Sequence, residues 1–203
     1  MNRAEYAADR ASLEGRRTAL RKELKRNRSG AIRDARAALN GSLGDELIPA
    51  WIGTRYGFYG NSKRPGTGRI ACGHFVANVL ADAGLKVPAS LGQQASSRIA
   101  RTFAGYDNVR WTRGASRESI VSRVRADGDG LYVLGLDTHV GLLRVRGRRV
   151  DLCHATGRRP RTVVCEPAAR SPSLRSHHHV VGTVLTDAVV EAWLRGDRIP
   201  LSP

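Results

Sequence analysis

Hydrophobic residues have helical spacing in the N-terminal part of the chain. Residues 2–28 are rich in Ala, Leu, Arg, Lys and Glu and contain no proline, which predicts a helix with a thin apolar face. A break at Ser29-Gly30 precedes a second short helix that is expected to end near Leu39. Asn40-Gly41-Ser42 is typical of a turn. We therefore place a domain boundary there, with residues 1–42 as a helical extension that either covers the domain or binds a partner.

A second stretch of helical spacing begins beside a cysteine. Apolar residues recur every three to four positions over residues 75–83, which predicts a buried helix with Cys72 in its first turn. Gly84 is expected to end that helix. Further helices are predicted over residues 90–103, 117–126 and 187–194.

The spacing changes in the second half, where short apolar segments are separated by turn residues. These segments predict five strands, over residues 131–136, 139–145, 150–155, 161–165 and 180–185. Helices followed by a run of short strands are typical of α+β folds with an antiparallel sheet. The turn at residues 146–148 would join two antiparallel strands and bring His139 and His154 to adjacent positions.

Composition adds a strong positive charge to this pattern. The 203 residues include 34 Lys and Arg against 18 Asp and Glu, a formal net charge of +16, of which residues 1–42 hold only part. Such a charge favours a polyanion as partner, whether nucleic acid, anionic lipid or a cell-wall polymer, although a merely solvated arginine-rich surface is the alternative. No segment approaches the roughly 20 apolar residues of a membrane-spanning helix. No export signal is visible, so we expect a cytoplasmic protein unless a dedicated secretion route exports it.

Three residues have the chemistry of a nucleophilic site. Cys72 at a helix N-terminus would feel the helix dipole and free N–H groups, which lower a thiol pKa and favour the reactive thiolate. A nucleophilic cysteine needs a base within hydrogen-bond reach, and that base needs an orienting partner. His139 and His154 are the candidates for these two roles, whereas a buried structural cysteine is the alternative.

The sequences around these residues resemble those of the NlpC-type cysteine peptidases, which are cell-wall hydrolases with a papain-like fold. Residues 53–60, Gly-Thr-Arg-Tyr-Gly-Phe-Tyr-Gly, look like the family's first motif. Residues 71–76, Ala-Cys-Gly-His-Phe-Val, look like its nucleophile motif. His139-Val140-Gly141-Leu142 and Cys153-His154-Ala155 look like the base motif and the third motif. The motifs occur in the family's order within residues 47–185.

The resemblance implies a papain-like domain over residues 43–203, with the nucleophile-bearing helix packed on an antiparallel sheet. Cys72 would be the nucleophile, His139 the general base and later the acid, and His154 the residue that orients His139. Tyr56 would help to stabilise the oxyanion, together with the backbone N–H of Cys72. No cofactor or metal is implied.

The nucleophile motif departs from the family's pattern at three positions. The acidic residue that precedes the cysteine in the family is Ala71 here, and the Ser-Gly that follows it is Gly73-His74. In the family the acidic residue and the serine help to bind the free amine end of the substrate peptide, so these changes leave the substrate class open. His74 itself is expected to be packed or exposed rather than part of the site.

Three further features have residue types that occur in functional sites. Residues 177–179 are three consecutive histidines, but neighbours in a strand alternate sides, so a solvated loop is expected rather than a metal site. Cys153 and Cys165 are expected to be two buried thiols, with a cross-strand disulfide as the alternative. Asp151 is an alternative residue for orienting His139.

Together with the resemblance, these observations predict a cysteine hydrolase that cleaves an amide bond. The resemblance implies peptidoglycan stem peptides as the target, with a peptide or peptidoglycan as substrate. An acyltransferase or amidase acting on a protein or lipid is the first alternative. The second alternative is an inactive basic module that binds a polyanion through its surface.

Overall fold

Helices and an antiparallel sheet form the described part of the chain, residues 3–104 and 109–200 of a computed structural model. The helices are α1 Arg3–Glu23, α2 Arg28–Ser42, α3 Ile48–Trp51, α4 Cys72–Asp82, α5 Ser96–Ala104, α6 Arg117–Ala126 and α7 Asp187–Arg195. The strands are β1 Arg55–Tyr56, β2 Arg69–Ile70, β3 Val109–Arg113, β4 Gly130–Leu136, β5 Val140–Arg146, β6 Arg149–Ala155, β7 Val163–Pro167 and β8 His178–Thr183. A π-helical segment, Leu43–Leu47, joins α2 to α3, and short 3₁₀ helices span Leu91–Gln93, Ala168–Arg170 and Pro172–Leu174.

The turn expected at residues 40–42 is wrong, because the chain stays helical there. α2 passes through the π-helical segment Leu43–Leu47 directly into α3. Leu39, Leu43 and Trp51 are fully buried along this continuous stretch. Their burial favours the helix by several kcal/mol, against about 1 kcal/mol for the unfavourable helix propensity of one glycine. Side chains on both sides of residue 42 consequently share one core.

The six-stranded sheet has the order β3-β8-β4-β5-β6-β7, and every neighbouring pair is antiparallel. This confirms the expected α+β class with an antiparallel sheet. β3 was not anticipated, because Val109-Arg110-Trp111-Thr112-Arg113 lacks a clear apolar alternation. It is an edge strand that pairs with β8 alone. β8 begins at His178, two residues before the predicted start.

Helices cover both faces of the sheet. α4 and α5 pack against one face, and α1, α2 and α7 continue that core through side chains such as Leu13, Leu39 and Trp193. α6 and the 3₁₀ helices Ala168–Arg170 and Pro172–Leu174 cover the other face around Leu134, Leu143 and Leu152. No helix in the described ranges is long and apolar enough to cross a membrane.

Candidate active site

Cys72 is the first residue of α4. It follows an extended Ala71 that offers no side-chain cap, so the first N–H groups of the helix are left for the cysteine. The backbone N–H groups of Cys72, Gly73 and Val140 lie close enough to its sulfur to lower the pKa of the thiol. Cys72 is the only free cysteine of the three, and it is partly buried. The helix N-terminus and the first residue of β5 thus meet at one sulfur atom.

The start of α4 is packed tightly against the segment that follows it. A Cβ atom at Gly73 would lie 2.3 Å from the carbonyl oxygen of Gly92. A Cβ at Gly135 would lie 2.6 Å from the carbonyl oxygen of Ser96, whose hydroxyl donates to the Leu136 carbonyl at 2.5 Å. Because Gly73 and Gly135 have no side chains, residues 91–97 can pack closely against the site. The serine that the family has after its cysteine would not fit at position 73.

Residues 91–97 form one wall of the site and break the helix expected over residues 90–103. The 3₁₀ turn Leu91–Gln93 ends before α5 begins at Ser96, with an extended residue, Gln94, between them. The ring of His74 contacts Gly92 and lines the cavity, so His74 belongs to this wall.

His139 and His154 meet as the strand pairing suggested. Leu142 pairs with Cys153 across β5 and β6, which sets Gly141 opposite His154. A Cβ at Gly141 would lie 3.0 Å from the Cβ of His154, so the glycine leaves space for the buried imidazole. His139 Nε2 and His154 Nδ1 are 2.6 Å apart. His139 Nδ1 is therefore the ring nitrogen that remains for a proton from the nucleophile.

Glu166, which sequence reasoning missed, extends this pair. Its Oε1 lies 3.3 Å from His154 Nε2, within ion-pair distance although outside hydrogen-bond geometry. Val164 on β7 is the direct partner of His154, and Glu166 lies two residues further on the same face. Asp151, the alternative considered for orienting His139, instead pairs with Arg149 at 2.5 Å.

Burial sets the protonation of the resting site. It raises the pKa of the Cys72 thiol, and the three backbone N–H groups offset only part of this rise. The lowered pKa expected for a helix N-terminus is therefore wrong. Burial also lowers the pKa of His154 to about 4 and, together with the charges of His154 and Arg158, that of His139 to about 3. At neutral pH the site thus holds a thiol and two neutral imidazoles.

Tyr56 lines the same cavity as Cys72. Its backbone N–H donates to the carbonyl of Arg161 at 2.7 Å, and its ring packs on Gly157, where a Cβ would lie 3.0 Å away. Burial and the neighbouring Cys72 charge raise the pKa of the phenol. Tyr56 therefore keeps its proton and remains a hydrogen-bond donor.

These side chains line a cavity of about 780 Å³. Tyr56, Cys72 and His139 share it, whereas His154 lies behind His139, 1 % exposed. The far end is formed by Trp111 on β3 and His178 on β8. The structure thus brings three of the four candidate residues to one cavity and holds the fourth, His154, against His139.

Asp137 fixes the far end of the cavity. It accepts hydrogen bonds from the Ser176 hydroxyl at 2.7 Å and from the backbone N–H groups of His177 and His178 at 2.7 and 3.0 Å. The ring Nδ1 of His178 is 2.8 Å away. These donors hold the pKa of Asp137 well below its usual range. Neither Asp137 nor His178 was anticipated as a cavity residue, since the contact depends on the pairing of β8 with β4.

The three consecutive histidines are not a solvated loop. His178 and His179 begin β8, and His179 is fully buried with Nε2 3.0 Å from the Leu174 carbonyl. In residues 3–104 and 109–200, no group of three His, Cys, Asp or Glu side chains is placed to hold a metal ion.

Cys153 and Cys165 are joined by a disulfide, so the expectation of two buried thiols is wrong. They are directly paired residues of β6 and β7 with their Cα atoms 4.0 Å apart. Cys153 lies next in sequence to His154, and Cys165 lies next to Glu166; we call His139, His154 and Glu166 together the relay. The disulfide therefore fixes the edge strand that carries Glu166.

Comparison with known proteins gives no match. No family model matches the chain, and neither a curated protein nor a solved structure is similar to it. The likeness to NlpC-type peptidases therefore rests on the sequence motifs alone.

Proposed function

We propose that this protein is a cysteine hydrolase that cleaves an amide bond, with peptidoglycan stem peptides as its substrate class. One observation carries the proposal: Cys72 and His139 line the same cavity, and His139 is held from behind by His154 at 2.6 Å. A nucleophile, a base and an orienting group are the parts that acyl transfer by a cysteine requires.

The hydrogen-bond pattern supports one arrangement of protons. A carboxylate accepts only, so Glu166 favours a proton on His154 Nε2. His154 Nδ1 then accepts from His139 Nε2, and His139 Nδ1 keeps a free lone pair. In this tautomer His139 can take a proton from the Cys72 thiol.

The reaction follows from these protonation states. Because the resting pair is neutral, His139 removes the thiol proton as the sulfur attacks the carbonyl carbon. The Tyr56 hydroxyl and the Cys72 backbone N–H would donate to the oxyanion. His139 then protonates the departing amine, which leaves a thioester on Cys72. Water attacks the thioester with His139 again as base, and the carboxylic acid product and the thiol are released.

The substrate assignment rests on the motif resemblance. The cavity of about 780 Å³ is large enough for several residues of a peptide. Ala71 and Gly73 replace the acidic residue and the serine with which the family binds the amine end of its substrate, so an internal or branched amide is favoured over a bond beside a free N-terminus.

The test incubates the purified protein with defined muropeptides and identifies the products by mass spectrometry. Cys72→Ala and His139→Ala are expected to abolish amide cleavage with unchanged thermal unfolding, whereas His177→Ala, an exposed histidine outside the relay, should cleave normally. Full activity in Cys72→Ala would overturn the proposal. Preferential transfer of the acyl group to an added amine would identify an acyltransferase instead.

A further inference from the structure

Seven cationic side chains near Tyr56 form no ion pair with any described residue, and we refer to them together as the basic surface. They are Arg55, Lys63, Arg64, Arg69, Arg158, Arg159 and Arg161. All seven are exposed, and none forms an ion pair with any residue in the described ranges. Arginines elsewhere are commonly paired, as where Asp45 lies between Arg144 and Arg146.

The fold joins two segments that lack carboxylates into this one surface. Residues 52–81 and 152–165 contain no Asp or Glu. Arg55 pairs with Arg69 through β1 and β2 and forms an antiparallel bridge with Thr162. The Tyr56 N–H bond to the Arg161 carbonyl, 2.7 Å, fixes the second loop beside the first. Bringing like charges together destabilises a fold, so a function for the charge is indicated.

Two aromatic rings project from the same segment. Phe58 is 72 % exposed and Tyr59 is 91 % exposed, and both line the cavity mouth. The rings stand edge to face with centroids 4.9 Å apart. Large apolar side chains that the protein leaves uncovered next to a binding cavity indicate a contact surface.

We propose that the basic surface and the Phe58–Tyr59 pair bind the surface of an anionic lipid bilayer. Cations attract anionic headgroups, and aromatic rings partition into the region between headgroups and acyl chains. A peripheral protein binds most firmly where apolar insertion and charge act together. Single-stranded nucleic acid fits less well, because a platform for successive bases needs ring faces turned the same way, and these two rings are perpendicular at 87°.

The basic surface and the Phe58–Tyr59 pair adjoin the mouth of the cavity. A bound bilayer would therefore place substrates located in its headgroup region next to Cys72. The membrane interaction goes beyond the proposed hydrolase function and does not require it. Cys72→Ala is accordingly expected to bind vesicles as the unaltered protein does.

The experiment measures cosedimentation of the full chain with vesicles of equimolar phosphatidylglycerol and phosphatidylcholine, and with phosphatidylcholine alone. The combined variant Arg158→Gln, Arg159→Gln, Arg161→Gln is expected to weaken binding to the anionic vesicles by about tenfold to a hundredfold at low salt. Its matched control, Arg123→Gln, Arg125→Gln, Arg170→Gln, removes the same charge from exposed positions on and near α6 and should bind nearly normally.

A second measurement separates insertion from attraction by charge. Phe58→Ala with Tyr59→Ala should abolish the binding that remains at high salt. Trp111 is 53 % exposed whereas Trp51 and Trp193 are buried, so the probe is made in a Trp111→Phe background. The fluorescence of Tyr59→Trp in that background should be quenched by brominated lipid.

Three results would overturn the proposal. Equal weakening by the two arginine triples would show that net charge alone matters. Binding that is unaffected by loss of Phe58 and Tyr59 would show that the two rings do not insert into the bilayer, which contradicts the proposed membrane contact. Failure to bind vesicles while soluble polyphosphate or single-stranded DNA binds through the same arginines would assign the surface to a soluble polyanion.

Discussion

Gly73→Ala tests the arrangement that most distinguishes this site, because it adds one methyl group between α4 and the cavity wall. The new Cβ would lie 2.3 Å from the Gly92 carbonyl oxygen and 3.1 Å from its carbonyl carbon. The first distance is roughly 1 Å shorter than a comfortable non-bonded contact. Since both partners are backbone, α4 or the 91–97 segment must move by about that amount.

The expected cost is about 1–3 kcal/mol of unfolding free energy, as for other overpacked sites. For a chain of this size that lowers Tm by roughly 2–12 °C. A displacement of about 1 Å next to Cys72 should also reduce amide cleavage by up to about 100-fold. Gly41→Ala is the matched control, because a Cβ there meets nothing within 4 Å inside α2. It should stabilise the protein by about 0.5–1 kcal/mol.

Differential scanning fluorimetry measures both variants, and single-turnover cleavage follows the chemistry. Alkylation of Cys72 by iodoacetamide gives a readout that needs no substrate. If Gly73→Ala keeps the Tm and the alkylation rate of the unaltered protein, then residues 91–97 do not pack on α4. The explanation that a serine does not fit at position 73 would then also be wrong.

Four further outcomes are expected. Alkylation of Cys72 should rise with pH along a curve displaced above that of a free thiol, because burial raises its pKa; a thiolate that reacts fully at pH 6 would contradict this. His139, with a folded pKa of about 3, binds protons more readily when unfolded, so Tm should fall as pH decreases from about 6.5, and less so in His139→Asn at matched pH. Glu166→Gln should lower kcat on the order of tenfold to a hundredfold with little change in KM, and an unchanged kcat would remove it from the relay. Reduction of Cys153–Cys165, separated by 12 residues, should cost about 3 kcal/mol by chemical denaturation, and a Cys153→Ser, Cys165→Ser protein should show no effect of reductant.

The parts of the site that lie near one another in sequence could be anticipated without the structure. Cys72 begins a helix because apolar residues follow it at helical spacing and an extended residue precedes it. His139 and His154 meet because a two-residue turn joins their strands and fixes the register between them. Both conclusions depend on local geometry, which the order of residue types largely determines.

Longer-range features needed the tertiary structure. Glu166 reaches His154 only because β7 pairs with β6 in one register, and a shift by one residue would turn its side chain to the other face. The turn expected at residues 40–42 gave way to a helix because burial of Leu39, Leu43 and Trp51 outweighs a local preference for a turn.

The electrostatic properties also fall into those that the sequence determines and those that depend on the fold. The sequence by itself determined the net charge of +16, the cysteine and the two histidines with their order along the chain. Tertiary structure decided that burial affects the pKa of the Cys72 thiol more than the helix N-terminus does. It also decided that two segments that lack carboxylates converge into the basic surface. The physical reason is that pKa values and surface potentials depend on solvent exclusion and on distances between charges, and packing sets both.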